Sequence, residues 1–216
     1  MRTRVWIDNG HGRDTLSLGK HSPDMRLQEW AWTRGVANLV VDGLQDIGID
    51  AELLVPEKND VPLKDRVLRV NRTCVERGAK NVLLVSIHNN ACPPNDNQWH
   101  NASYWSVWVY RQEIYKGGKL VQVKEASKES KRLAELFSYE AREMDWKVGR
   151  GERDYKEANY QILRDTLCPA VLTENFFQDN KRDVEYLLSD KGVAECAMLH
   201  ITTIKRYLYE RGQIER

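Results

Sequence analysis

Val82-Leu-Leu-Val-Ser-Ile-His88 is a nearly continuous apolar run that stops on a histidine. Such a run, without polar alternation, suits a central strand covered on both faces. Upstream, Pro62 sits where a helix opens. A stripe of Leu63, Val67, Val70 and Cys74 follows, and Gly78 closes it. Ile49 to Val55 reads as a short strand. Glu29 to Ile47 reads as a helix, with Trp32, Val36, Leu39, Val40, Leu44 and Ile47 at helical spacing and Gly48 after its last turn. Thr3 to Asp8 reads as the first strand through Val5, Trp6 and Ile7.

Downstream, Cys92 to Asn101 is a loop containing Pro93-Pro94. Ser103 to Arg111 alternates as a strand, and Gly117-Gly118 could turn it into a hairpin. Glu125 to Met144 reads as a helix, Asn159 to Arg164 and Pro169 to Glu174 as strands, and Gly192 to Tyr209 as a closing helix. Strands alternating with helices predict a single α/β domain spanning 1–216. Its sheet should be a mostly parallel, twisted one of about six strands with helices on both faces.

Composition narrows the class. The 216 residues carry 33 Lys plus Arg against 32 Asp plus Glu, a net charge of +1, with 41% apolar and 30% charged residues. This balance fits a globular chain and gives no reason to expect a nucleic-acid partner or membrane insertion. The strand pattern begins almost at the N-terminus, so no signal peptide is expected ahead of it. Cys74, Cys92, Cys168 and Cys196 lack zinc-ribbon or disulfide spacing and are expected as free thiols. A monomer is expected.

In a largely parallel sheet, ligands gather beyond the carboxyl ends of the strands. Asp8-Asn9-Gly10-His11-Gly12 follows the first strand. His88-Asn89-Asn90 ends the third, and Thr173-Glu174-Asn175 ends the last. Two histidines and a carboxylate are therefore aimed at one sheet edge, and Glu29 is near enough in chain to join them. Such a set suits catalytic zinc with a position left for water. A further carboxylate would take the proton from that water, and Glu174 is available. The glycines flanking His11 are expected to permit a tight turn that lets the imidazole reach inward.

At these residues the sequence resembles the zinc-dependent N-acetylmuramoyl-L-alanine amidases, which cut peptidoglycan between the muramic acid lactyl group and L-alanine. The likeness runs from Val5 to about Tyr209. Its segments are Ile7-Asp8-Asn9-Gly10-His11-Gly12, Glu29, Pro62 to Asn71 with Arg66, and Ser86-Ile87-His88-Asn89-Asn90-Ala91. Arg150-Gly151, Tyr160 to Arg164 and Pro169 to Phe177 then follow in order. The resemblance implies one zinc per chain held by His11, Glu29 and His88, with Glu174 as catalytic acid/base. The implied partner is peptidoglycan or a muropeptide. Arg13 and Asn175 depart from the family pattern.

Residues 92–123 match no motif of the family. Their aromatic content suggests that they border the cleft, where Trp99 or Trp105 could stack on substrate. Asn89, Asn90 and Arg150 are the other expected substrate contacts. A zinc peptidase or deacylase, and an inactive wall-binding module, are the competing readings. A nucleotide-binding domain lacks its glycine-rich motif. The sequence does not choose between a phage lysin and a host wall-remodelling enzyme.

Overall fold

The computed structural model describes residues 2–215 apart from Leu16, Leu18, Asn95, Arg150 and Glu152. Its centre is a parallel ladder. β1 (Arg4–Asn9) pairs with β2 (Asp50–Leu53) on one side and β3 (Val82–Asn90) on the other, and β3 pairs with β7 (Ala170–Phe177). α1 (Glu29–Asp46) joins β1 to β2, and α2 (Leu63–Arg77) joins β2 to β3.

Alternation along these strands makes two cores, since successive side chains leave a strand on opposite faces. Val5, Ile7, Leu83, Val85, Ile87 and Val171 pack under α1, α3 (Lys128–Glu143) and α6 (Asp190–Glu210). Leu84, Ala170 and Leu172 pack on the other face with Val67, Val70 and Cys74 of α2 and Ile162 and Leu163 of α4 (Gln161–Arg164). The expected covering of both sheet faces by helices is thus present. Leu39 and Ile47, counted in the α1 stripe, are exposed.

Among the described residues the sheet has seven strands, and it gains antiparallel members on its far side. β4 (Ser106–Lys116) runs antiparallel to β7, with Ser106 opposite Glu174. The loop from β3 delivers the chain to the edge where β3 and β7 end, so β4 can only run back. The Gly117-Gly118 hairpin is present. Both glycines have positive φ (55° and 75°), as a tight hairpin turn requires, and β5 (Lys119–Glu125) follows.

Three boundaries differ from expectation. Glu125 ends β5, and α3 starts only after Ser127, whose hydroxyl accepts from Ser130 N at 3.1 Å. Asn159 to Arg164 is not a strand. β6 (Lys156–Ala158) precedes it and one helical turn, α4, replaces it. A strand would send the consecutive Ile162 and Leu163 to opposite faces, whereas both are buried in one core. A separate helix, α5 (Lys181–Leu188), lies before α6 and is capped by Asn180.

Candidate metal centre and active site

The site lies at the carboxyl edge of β1, β3 and β7, on the α2 face. Its floor is a buried ion pair. Asp8 accepts from Arg66 Nη1 at 2.7 Å and from Ser86 Oγ at 2.6 Å. Arg66 also donates to Asn9 O, Val61 O and Asp60 Oδ1 at 2.9, 2.8 and 2.6 Å. A guanidinium in a buried site needs such complete pairing. The bonds tie the 8–12 turn to the loop before α2.

The turn achieves its shape differently from expectation. His11 itself adopts the left-handed conformation, with φ of 63°. The flanking glycines serve close approach. A Cβ on Gly10 would fall 2.4 Å from His88 Cε1, and one on Gly12 would fall 2.0 Å from Asp60 N. Bare backbone at these two positions lets the turn sit against the second histidine and the neighbouring loop.

His11, Glu29 and His88 converge, each offering one ligand atom, with all three atoms within 4.8 Å of one another. Glu29, in the first turn of α1, is wholly buried. Its Oε1 accepts from Asn89 N at 3.1 Å and lies 2.9 Å from His88 Nδ1. Its Oε2 accepts from Gln178 Nε2 at 3.1 Å and lies 3.7 Å from Lys20 Nζ. Burial alone would raise the Glu29 pKa. The two histidines and Lys20 outweigh it and hold the carboxyl well below the usual range. His11 is pushed down chiefly by its own burial, against the pull of Glu29. Its Nε2 is out of solvent without a hydrogen-bond partner, and stands 3.4 Å from Glu29 Oε1.

Two imidazole nitrogens and one carboxylate oxygen, one nitrogen orphaned and the carboxylate braced by outer donors, fit a zinc centre. Glu174 stands beside it. It is the direct register partner of His88 across β3 and β7. Its Oε2 is buried without a hydrogen-bond partner. Burial, and next the charge of Glu29, push its pKa up to about 8, with Lys20 and Lys156 opposing. A cavity of about 400 Å³ opens over His11, His88 and Glu174, walled by Lys20, Arg66, Tyr160, Gln161 and Leu172 among others.

The sequence profile of the N-acetylmuramoyl-L-alanine amidase family matches residues 5–206. The chain belongs to this amidase family. Its activity is that of a peptidoglycan amidase. The endolysin of Bacillus phage SPP1 is 26% identical over 211 residues, covering 96% of this chain and 67% of that protein. The amidase CwlM of Bacillus licheniformis is 42% identical over 55 residues, covering 26% of this chain and 22% of that protein. In fold, the chain is similar to the amidase of Clostridium difficile 630, with a TM-score of 0.75 at 22% identity, covering 98% of this chain and 99% of that one.

The other expected contacts of this amidase fall elsewhere. Asn89 is buried, and its side chain donates to Asn175 O at 2.9 Å. Asn90 Oδ1 accepts from Ala91 N at 2.9 Å. Neither lines the cavity. Trp99 lines a separate depression with His100 and Lys181. Trp105 is wholly buried, and its indole donates to Asn175 Oδ1 at 2.9 Å, which leaves no face for substrate. Arg150 lies outside the described residues. Asn175, a departure from the family pattern, also donates to His88 O at 2.9 Å. It thereby joins β3, β7 and Trp105.

Lys20, Gln178 and Tyr160 were not expected at the site. Gln178 follows Glu174 by four residues, yet nothing in sequence says that it turns back to Glu29. His21 forms an isolated bridge with Gln28 in the loop before α1, and His200 is a core residue between Thr173 and Cys196 O.

Proposed function

We propose that the chain hydrolyses the amide between the muramic acid lactyl carbonyl and L-alanine by a zinc-dependent route, with residues 1–216 acting as one catalytic domain. The observation that carries this is the convergence of His11, Glu29 and His88 beside a Glu174 with no competing hydrogen bond on Oε2. His11, Glu29 and His88 would hold the ion. Bound there, zinc supplies Lewis acidity to water and to the carbonyl oxygen.

The protein's own part is proton movement and placement. Glu174 accepts a proton from the attacking water, and the water oxygen forms the bond to the lactyl carbonyl carbon. As the C–N bond breaks, Glu174 returns the proton to the departing alanine nitrogen, leaving a lactyl acid and a free amine. A carboxyl pushed up to about 8 in the metal-free protein holds its proton readily, and with a cation held by His11, Glu29 and His88 it would give that proton up more easily and serve as the base. Asn89 N and Gln178 keep Glu29 oriented, and the Asp8–Arg66 pair holds the His11 turn.

The test is digestion of purified muropeptides with mass analysis of the cut bond. The expected products are a lactyl acid and a stem peptide with free alanine amine. Chelation should abolish cleavage and zinc should restore it. Cleavage between stem residues would favour a peptidase instead, and binding without cleavage would favour an inactive wall-binding module.

A further inference from the structure

The hairpin formed by β4 and β5 takes no part in the site. β4 pairs with β7 and β6 only through Ser106 to Tyr110; from Arg111 onward it pairs with β5 alone. Because β4 runs antiparallel to β7, its tip points away from Glu174. Ten residue steps of strand separate Ser106, opposite Glu174, from Lys116, on the order of 30 Å. The segment 92–123 therefore meets the catalytic edge only at its beginning, contrary to expectation.

The register divides the hairpin's charges by face. Residues directly opposite in a ladder share a face. Arg111 opposes Glu125, Glu113 opposes Val123 and Tyr115 opposes Leu120. On that face the charges are spent on one another. Arg111 binds Glu113 and Glu125 at 3.0 and 3.1 Å, and Tyr115 Oη donates to Glu113 at 2.7 Å. The other face carries Gln112 opposite Lys124, Ile114 opposite Gln122, and Lys116 opposite Lys119. It holds three lysines and no carboxylate. All three are exposed, and none forms an ion pair with a described residue. Like charges directly opposed, as at Lys116 and Lys119, cost stability unless an anion lies between them.

We propose that this lysine face binds a wall-borne anionic polymer with a phosphodiester repeat. It would hold the enzyme on its insoluble substrate at a point remote from the cut. Lysine serves phosphate as a compact point charge, and the amides of Gln112 and Gln122 can donate beside it. A membrane surface fits less well, because exposed Tyr115, Leu120 and Val123 lie on the opposite face and could not enter lipid while the lysines faced it. The inference rests on the wall being the substrate.

The experiment is co-sedimentation of the full chain with purified Gram-positive walls, native or stripped of phosphodiester polymer by hydrofluoric acid. Soluble muropeptide turnover is measured in parallel. The wild type should sediment with native walls and be released by stripping. Three phosphate contacts on a flexible polyanion predict roughly a tenfold to twentyfold loss of affinity between 50 and 200 mM salt. Lys116→Gln/Lys119→Gln/Lys124→Gln should remain in the supernatant with native walls while cutting soluble muropeptide at the wild-type rate. Undiminished sedimentation of that variant, or of the wild type with stripped walls, overturns the proposal. So does lysine-dependent capture by vesicles of anionic phospholipid matching that by native walls, which would assign the face to membrane. Failure to cut soluble muropeptide by the wild type would instead sink the amidase reading and leave the sedimentation result standing.

Discussion

Two carboxylates, Glu29 buried beneath the histidines and Glu174 in the cavity wall, live in opposite surroundings. Glu29 enters from the first turn of α1 and is saturated. His88, Asn89 N, Gln178 and Lys20 all address it, and its charge is held on. Glu174 enters from β7 and has an oxygen that nothing addresses, and burial, followed by the charge of Glu29, pushes its pKa up to about 8. Each also acts on the other, since the charge of Glu29 is the second cause of the shift at Glu174. The difference assigns the work. A carboxyl fixed as an anion by its neighbours suits a cation, and one left without partners suits a proton. The fold makes part of the distinction with backbone, since Asn89 N reaches Glu29 while no donor reaches Glu174 Oε2.

The strongest way to break this contrast is to neutralise Glu29. Glu29→Gln keeps the shape and removes the charge. It should empty the centre of zinc by elemental analysis and take muropeptide cleavage to background. Stoichiometric zinc in that variant would remove Glu29 from the ligand set. Glu174→Gln should behave otherwise. Turnover should fall by about 10²–10⁴-fold, as for loss of a general acid/base, with zinc still bound. If zinc left together with activity, Glu174 would be a ligand and the two carboxylates would share one role.

A gentler test uses stability of the metal-free protein. The folded-state pKa of Glu174, about 8, lies above the ordinary carboxyl value of 4.5, so between them the folded state binds more protons than the unfolded. Stability carried by this group is therefore complete below about pH 4.5 and is lost as pH rises through 8. Glu174→Gln never bears the charge. At pH 8.5 its metal-free form should melt above the metal-free wild type by several degrees, on a scale of roughly 2–4 °C per kcal/mol for a chain of this size. At pH 4.5 the gap should close. A gap that widens toward acid would mean that Glu174 is stabilised as an anion, as Glu29 is.

Legibility in sequence followed the chemistry. His11, His88 and Glu174 could be placed because strand ends are readable from apolar runs and ligands gather at them. Glu29 could be placed because it opens a strongly periodic helix. The supporting residues were hidden by topology. Gln178 reaches Glu29 only because β7 lies beside β3, and Trp105 is spent on Asn175 only because β4 turns back along β7. Aromatic content in 92–123 suggested a binding surface, but an indole is as well used in a core, and only pairing partners tell the two apart. The hairpin's lysine face was invisible for a related reason. A net charge of +1 averages away a segregation that strand register creates.

The smallest effect expected concerns how the Glu174 wall is held from behind. Asn175 follows Glu174 with its side chain buried. Its amide donates to His88 O, its oxygen accepts from the Trp105 indole, and its carbonyl accepts from Asn89 Nδ2. Asn175→Ala leaves the indole N–H buried and unpartnered, a cost of about 1–3 kcal/mol. Asn175→Thr keeps a polar side chain there, but one hydroxyl cannot span both the carbonyl of His88 and the indole, so part of the cost should remain. Melting temperature should therefore fall in the order wild type, Thr, Ala. Zinc should stay bound in both variants, and the loss of turnover should be far below that of Glu174→Gln, because Asn175 touches neither cavity nor reacting atoms. A turnover loss matching Glu174→Gln with zinc retained would show that Glu174 depends on this bracket for its orientation. The wall would then have to be counted as part of the proton-handling machinery. An unchanged melting temperature would show that Trp105 finds another partner, and would sink the bracket altogether.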